Sequence, residues 1–129
     1  MRRFALVLGL CLALIAAFVV AQEAITVNRA VVCTGVADRE PAGVDTTFAD
    51  TVTTLYCFTE LDGAEGHVIH TWYHGDQVAA EITLNKGRSG RWRTWSTKKM
   101  SPEWKGAWRV EVKDENSALL KKVEFTFGQ

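Results

Sequence analysis

From Ile25 onward the apolar residues alternate with polar ones instead of recurring every three or four positions, which is the period of a half-buried strand. Seven such runs are legible: Ile25 to Val36, Val52 to Leu61, His67 to His74, Gln77 to Leu84, Arg91 to Ser96, Ala107 to Lys113 and Ala118 to Phe127. Turn chemistry separates them. Gly75-Asp76 reads as a hairpin turn whose glycine takes positive φ, and Asp62-Gly63 and Asp114 to Ser117 are turns of similar kind. Ser101-Pro102-Glu103 predicts a cap and a proline opening a single helical turn between two strands. The longest irregular piece, Ala37 to Thr51, is expected to cross from one sheet to another.

Seven short strands in about a hundred residues predict an all-β, immunoglobulin-like sandwich. Alternation places Trp108, Val110 and Val112 on one face of the sixth run and Val123, Phe125 and Phe127 on one face of the seventh, so these six point into the core. Trp72, in the third run, is the candidate for the large central residue that such sandwiches hold.

The N-terminus reads differently. Arg2 and Arg3 precede an uncharged apolar stretch from Phe4 to Ala21 that ends Val19-Val20-Ala21, the layout of a secretory signal with Gln22 as the new N-terminus. The same stretch has the roughly 18 apolar residues with which an uncleaved anchor begins to span a bilayer. The expected organisation is therefore a signal peptide or anchor over residues 1–21 and one β-sandwich domain over 22–129. The chain is expected in the periplasm or secreted, or held at the inner membrane by residues 4–21. A membrane is a partner only in that last case.

Charge narrows the partners. The sequence has 15 basic and 15 acidic residues, and loss of Arg2 and Arg3 leaves 13 against 15, a net of about −2. Nucleic acid is not expected on that balance. Removing residues 1–21 also removes Cys11 and leaves Cys33 and Cys57. In an oxidising compartment these can form a disulfide, which on the loop-entropy view contributes roughly 3 to 4 kcal/mol, or remain two buried thiols.

Four of the five tryptophans lie between Arg91 and Trp108, interleaved with basic residues. On the fifth run Arg91, Arg93 and Trp95 share one face, and Trp92, Thr94 and Ser96 share the other. Burying two unpaired arginines is costly, so Trp92 and Thr94 are expected inside and Arg91, Arg93 and Trp95 outside, beside Lys98. Guanidinium groups grip carboxylate, sulfate or phosphate, and an indole stacks on a sugar, so these residues, with His70, are candidates for binding an anionic or carbohydrate ligand. The plainer alternative is a solvated strand whose arginines pair with Glu60, Asp62 or Glu65.

Catalytic and metal signatures are lacking. His67 faces opposite to His70, and His70 and His74 are about 13 Å apart along a strand, too far for one ion. His70 fits a core-edge role beside Trp72. No Gly-x-Ser-x-Gly, C-x-x-C or phosphate-cradling loop occurs. A non-catalytic chain without metal or cofactor is expected.

His70-Thr71-Trp72-Tyr73, the Arg91 to Lys98 string and Trp104 to Val112, together with Asp38-Arg39-Glu40-Pro41 and Phe58-Thr59-Glu60-Leu61, resemble bacterial domains catalogued as domain of unknown function 2914. The resemblance spans almost the whole mature chain. It implies an exported or membrane-tethered β domain and no activity. The two functional readings are a binding module for an anionic glycan and an assembly domain that docks on an envelope protein through a sheet edge or its tryptophan-rich surface.

Overall fold

The computed structural model describes residues 24–128; the signal or anchor segment expected over residues 1–21, with Cys11, lies outside them. Ten strands follow in order: β1 (Thr26–Cys33), β2 (Gly35–Ala37), β3 (Glu40–Ala42), β4 (Thr47–Phe48), β5 (Thr54–Asp62), β6 (Gly66–His74), β7 (Gln77–Lys86), β8 (Trp92–Lys99), β9 (Gly106–Lys113) and β10 (Leu119–Phe127). All seven expected runs are strands. The sheets are three-stranded in the order β1-β5-β8 and five-stranded in the order β4-β10-β9-β6-β7, with β2-β3 a separate hairpin.

The chain changes sheets between β5 and β6, again between β7 and β8, and again between β8 and β9, the wiring of an immunoglobulin-like sandwich. The segment expected to cross between sheets does so, because β1 lies in one sheet and β4 pairs parallel with β10 in the other. It also holds β3, β4 and the last residue of β2, three short strands that the alternation pattern does not separate out. β2 and β3 have three residues each and are joined by Asp38 and Arg39 at φ 51° and 61°. Two successive left-handed residues make the mirror-image turn that suits a tight hairpin, and with Asp38 followed by arginine instead of glycine its sequence carries only half of the usual signal. At Gly75 the expected signal holds, with φ 57° at the turn between β6 and β7. Ser101-Pro102-Glu103 forms a β-turn rather than a helical one, closed by the Trp104 N–H donating to the Ser101 carbonyl at 3.0 Å.

The core lies between the two larger sheets. Trp72, Trp108, Val110, Val112, Phe125 and Phe127 are buried, as alternation requires, and Val123 packs partly buried at the margin. Phe125 meets Phe48 and Trp72 edge-on and stacks on Trp108. Each such side chain contributes roughly 1.5 to 3 kcal/mol through area removed from water.

One polar chain runs through this apolar interior. The Trp72 indole donates to Ser96 Oγ at 3.1 Å, and Ser96 donates to His70 Nδ1 at 2.7 Å. His70 Nε2 then donates to Thr59 Oγ1 at 3.4 Å, and Thr59 donates to the Thr94 carbonyl at 2.9 Å. With Thr59 donating to the Thr94 carbonyl, Nε2 must carry a hydrogen, and in the neutral imidazole that burial favours Nδ1 accepts from Ser96. The chain ties β6 of the larger sheet to β5 and β8 of the smaller one.

Burial pushes the His70 imidazole down from 6.5 to about 4. Above pH 6.5 neither folded nor unfolded histidine carries a proton, so this residue makes stability independent of pH there. As pH falls from 6.5 toward 4, the unfolded chain binds a proton that the folded chain refuses, and stability drops by about 3 kcal/mol in total. Denaturant midpoints at pH 7 and 4.5 are expected to show that loss, and His70→Gln, which cannot titrate, should show a markedly smaller difference between the two.

Candidate functional site

Alternation along β8 sorts the basic and aromatic residues onto two surfaces. Ser96, Trp92, Thr94 and Lys98 share the inward face, and Arg93 and Trp95 share the outward one. Arg91 precedes the strand at φ 52°, its N–H donating to Asp62 Oδ1 at 2.8 Å.

The outward stripe is covered by its own domain. Arg93 donates to Glu40 Oε1 at 2.9 Å, and Arg29 donates to the other oxygen of the same carboxylate at 2.8 Å. These two guanidinium groups, Arg29 first, hold the Glu40 carboxyl below its ordinary range. Arg91 lies 3.4 Å from Glu60, a pairing open in the sequence, and its side chain stays 71% exposed against 25% for Arg93. Trp95 stacks on Phe58 with ring centres 6.2 Å apart, and the Arg29 guanidinium sits 5.1 Å from the centre of the Phe58 ring. The partner the sequence did not suggest, Glu40, arrives on the β2–β3 hairpin, which sequence alternation does not reveal. Phe58 is consequently buried although it points away from the central core.

His70, grouped with those residues as a ligand candidate, is buried in the polar chain with both ring nitrogens occupied. Its partners are the hydroxyls of Ser96 and Thr59. His67 lies 3.2 Å from Glu115 at the surface, and no three His, Cys, Asp or Glu among the described residues come together as metal ligands.

Cys33 and Cys57 are buried free thiols, which corrects the disulfide reading. The reason is register. β1 and β5 place Val32 opposite Cys57 and Cys33 opposite Tyr56, so the two cysteines are one step out of phase and point to opposite faces of the sheet. Cys57 joins the central core, whereas Cys33 donates outward to the Gly35 carbonyl at 3.2 Å. Burial pushes both thiols up, Cys57 far more strongly.

Lys98 leads elsewhere. β7 and β8 are edge strands of different sheets that run alongside each other without pairing. One end of their seam is closed by the Trp92 indole donating to the Asn85 carbonyl at 3.0 Å. There the indole packs so tightly on Gly87 that a Cβ would stand 2.6 Å from Trp92 Cζ3. Lys86, also buried at that end, donates to the carbonyls of Gly63 and Gly87 at 2.9 and 2.8 Å. The other end opens into a cleft of about 200 Å³. Gln77, Val78 and Ala79 of β7 form one wall, Lys98 the other, and His74, Trp104 and Trp108 complete it.

The cleft is braced from beneath. His74 stacks on Trp108 at 4.5 Å, its Nε2 donates to the Lys105 carbonyl at 2.8 Å, and the Trp108 indole donates to the Trp104 carbonyl at 2.9 Å. Those bonds fix the loop that presents Trp104, whose residue surface is 40% exposed. The Lys98 ammonium stands 4.6 Å from the centre of the Trp104 ring and donates to the Lys99 carbonyl at 2.9 Å. No carboxylate among the described residues pairs with it, and none lines the cleft. Partial burial lowers its pKa.

Sequence reasoning gave no role to Gln77 or Val78, weighed His74 only as a metal ligand, and held Trp104 only as part of the tryptophan-rich segment. The available signal was the phase of Lys98, two positions beyond Ser96 on the inward face of β8. The cleft can take an anion beside a flat apolar face.

The family model described as protein of unknown function (DUF2914) matches residues 65–127. That span contains β6 to β10 and every residue of the cleft, and it excludes Glu40, both cysteines and the two earlier motifs, Asp38 to Pro41 and Phe58 to Leu61. No curated protein matches the chain.

Titration of the unreduced, denatured protein, prepared without Cys11, with a thiol reagent is expected to give two free thiols. A value near zero would require β1 and β5 to pair in a different register.

Proposed function

Over residues 65–127 the chain belongs to the DUF2914 family, which brings no activity with it, and we propose that the protein is a non-catalytic periplasmic or secreted module that binds an anionic or carbohydrate ligand. The contact surface in this reading is the cleft between β7 and β8, not the arginine stripe. One observation carries it: the half-buried Lys98 ammonium has no carboxylate partner among the described residues and stands over an exposed indole, whereas Arg91 and Arg93 each face an acid of the domain. A partly desolvated charge beside an aromatic face has more to gain from an external anion than one already paired.

The non-catalytic part rests on the state of the reactive groups. Burial raises both thiols away from the nucleophilic thiolate, and His70 has both nitrogens engaged in structure. A second reading, docking on an envelope protein, has one observation in its favour. β7 is a ten-residue edge strand and carries Val78, which is 58% exposed. The register shift opposite Trp72 and Tyr73 leaves an extra residue, Ala79, on that edge, a feature that discourages strand addition.

An anionic-glycan array tests the first reading. Lys98→Ala and Trp104→Ala are expected to lose binding, the double variant Arg91→Ala with Arg93→Ala to retain it, and wild-type binding to weaken as salt rises. Loss confined to the arginine variant would move the site to the stripe. Salt-resistant capture of an envelope protein, with no array signal, would favour docking.

A further inference from the structure

We infer that the cleft between β7 and β8 takes a single carboxylated pyranose ring, a hexuronate, with its carboxylate on Lys98 and its ring beside Trp104. This deepens the reading of the protein as an anion-binding module and rests on it. Size comes first. A cleft of about 200 Å³ is below the range of about 300 to 1,000 Å³ typical of drug-sized ligands, and suits one ring rather than a folded chain.

Polarity comes second. Three of the five indoles, Trp72, Trp92 and Trp108, spend their N–H on Ser96, Asn85 and Trp104, whereas Trp95 and Trp104 have no protein acceptor among the described residues, and of these two Trp104 lines the cleft. The cleft therefore offers a free indole donor at its flat wall. His74 uses Nε2 as a donor to the Lys105 carbonyl, so its Nδ1 is an acceptor with no protein donor among the described residues. The Gln77 amide adds a donor and an acceptor on the β7 wall. Donors and acceptors together on the residues that line one small cleft match a ring of hydroxyl groups. An aliphatic side chain would leave them unpaired, at a cost in affinity.

Charge comes third. The lining contains one cation and no acid, and the ammonium already bonds one carbonyl, which leaves two N–H groups for a carboxylate. Val78 and Ala79 supply an apolar side opposite Lys98, where ring carbons rather than hydroxyls would rest.

The test is an NMR titration of the purified protein with D-galacturonate, D-glucuronate, D-glucose and acetate, following the Trp104 indole N–H and the His74 and Gln77 signals. A uronate is expected to give saturable shifts at these positions, glucose to bind at least about tenfold more weakly for want of the charged contact, and acetate to give no saturation. Lys98→Met, which keeps the apolar stem, should bring the uronates down to the level of glucose, and Trp104→Ala should lose all saturable shifts. Retained dispersion of the remaining amide signals shows that either variant is folded. Acetate binding as tightly as the uronates would overturn the pyranose assignment and leave the anion-binding module standing. Glucose binding as tightly as the uronates in the wild type would overturn the assigned role of the carboxylate. Absence of shifts in the cleft with every probe, alongside array binding that survives Lys98→Ala, would overturn both.

Discussion

Two sheets can slide over an apolar interface far more easily than over a line of directed hydrogen bonds, and here that line is the chain Trp72–Ser96–His70–Thr59–Thr94. Each link has one donor and one acceptor, so a slip of one residue on β6 or β8 would leave several buried polar groups unpaired at roughly 1 to 3 kcal/mol each. The chain therefore sets which face of β8 is inward. Once Ser96 is inside, Lys98 is inside as well, and Arg93 and Trp95 must face out.

That sorting decides what each part of the tryptophan-rich segment can do. Outward residues gain a second, thin layer of packing from the β2–β3 hairpin, with Glu40 shared by two arginines and Phe58 enclosed beneath them. Inward residues at the strand's end meet the mouth of the sandwich, where the sheets diverge. Basic residues only a few positions apart thus have opposite fates: Arg93 is paired with Glu40, and Lys98 has no carboxylate partner among the described residues.

Strand existence was legible because burial imposes a period of two over six to ten residues, and β5 to β10 each have that length. Trp72 and the inward residues of β9 were legible for the same reason. β2, β3 and β4 were not, since two or three residues cannot display a period and Asp38-Arg39 is a tight turn in which an arginine stands where glycine is usual. The pairing on the outward face of β8 was legible only in part for a related reason: a local pattern sorts neighbours along β8, and Glu60 was open as a partner, but Glu40 arrives on a hairpin that shows no period. The cleft was illegible as a unit because its walls come from β7, β8 and the loop before β9, joined by packing rather than by spacing.

The two cysteines face away from each other across a sheet, so reaching the native state involves no covalent step. A change in the thiol–disulfide balance around the domain would therefore leave the pairing of β1 with β5 unchanged.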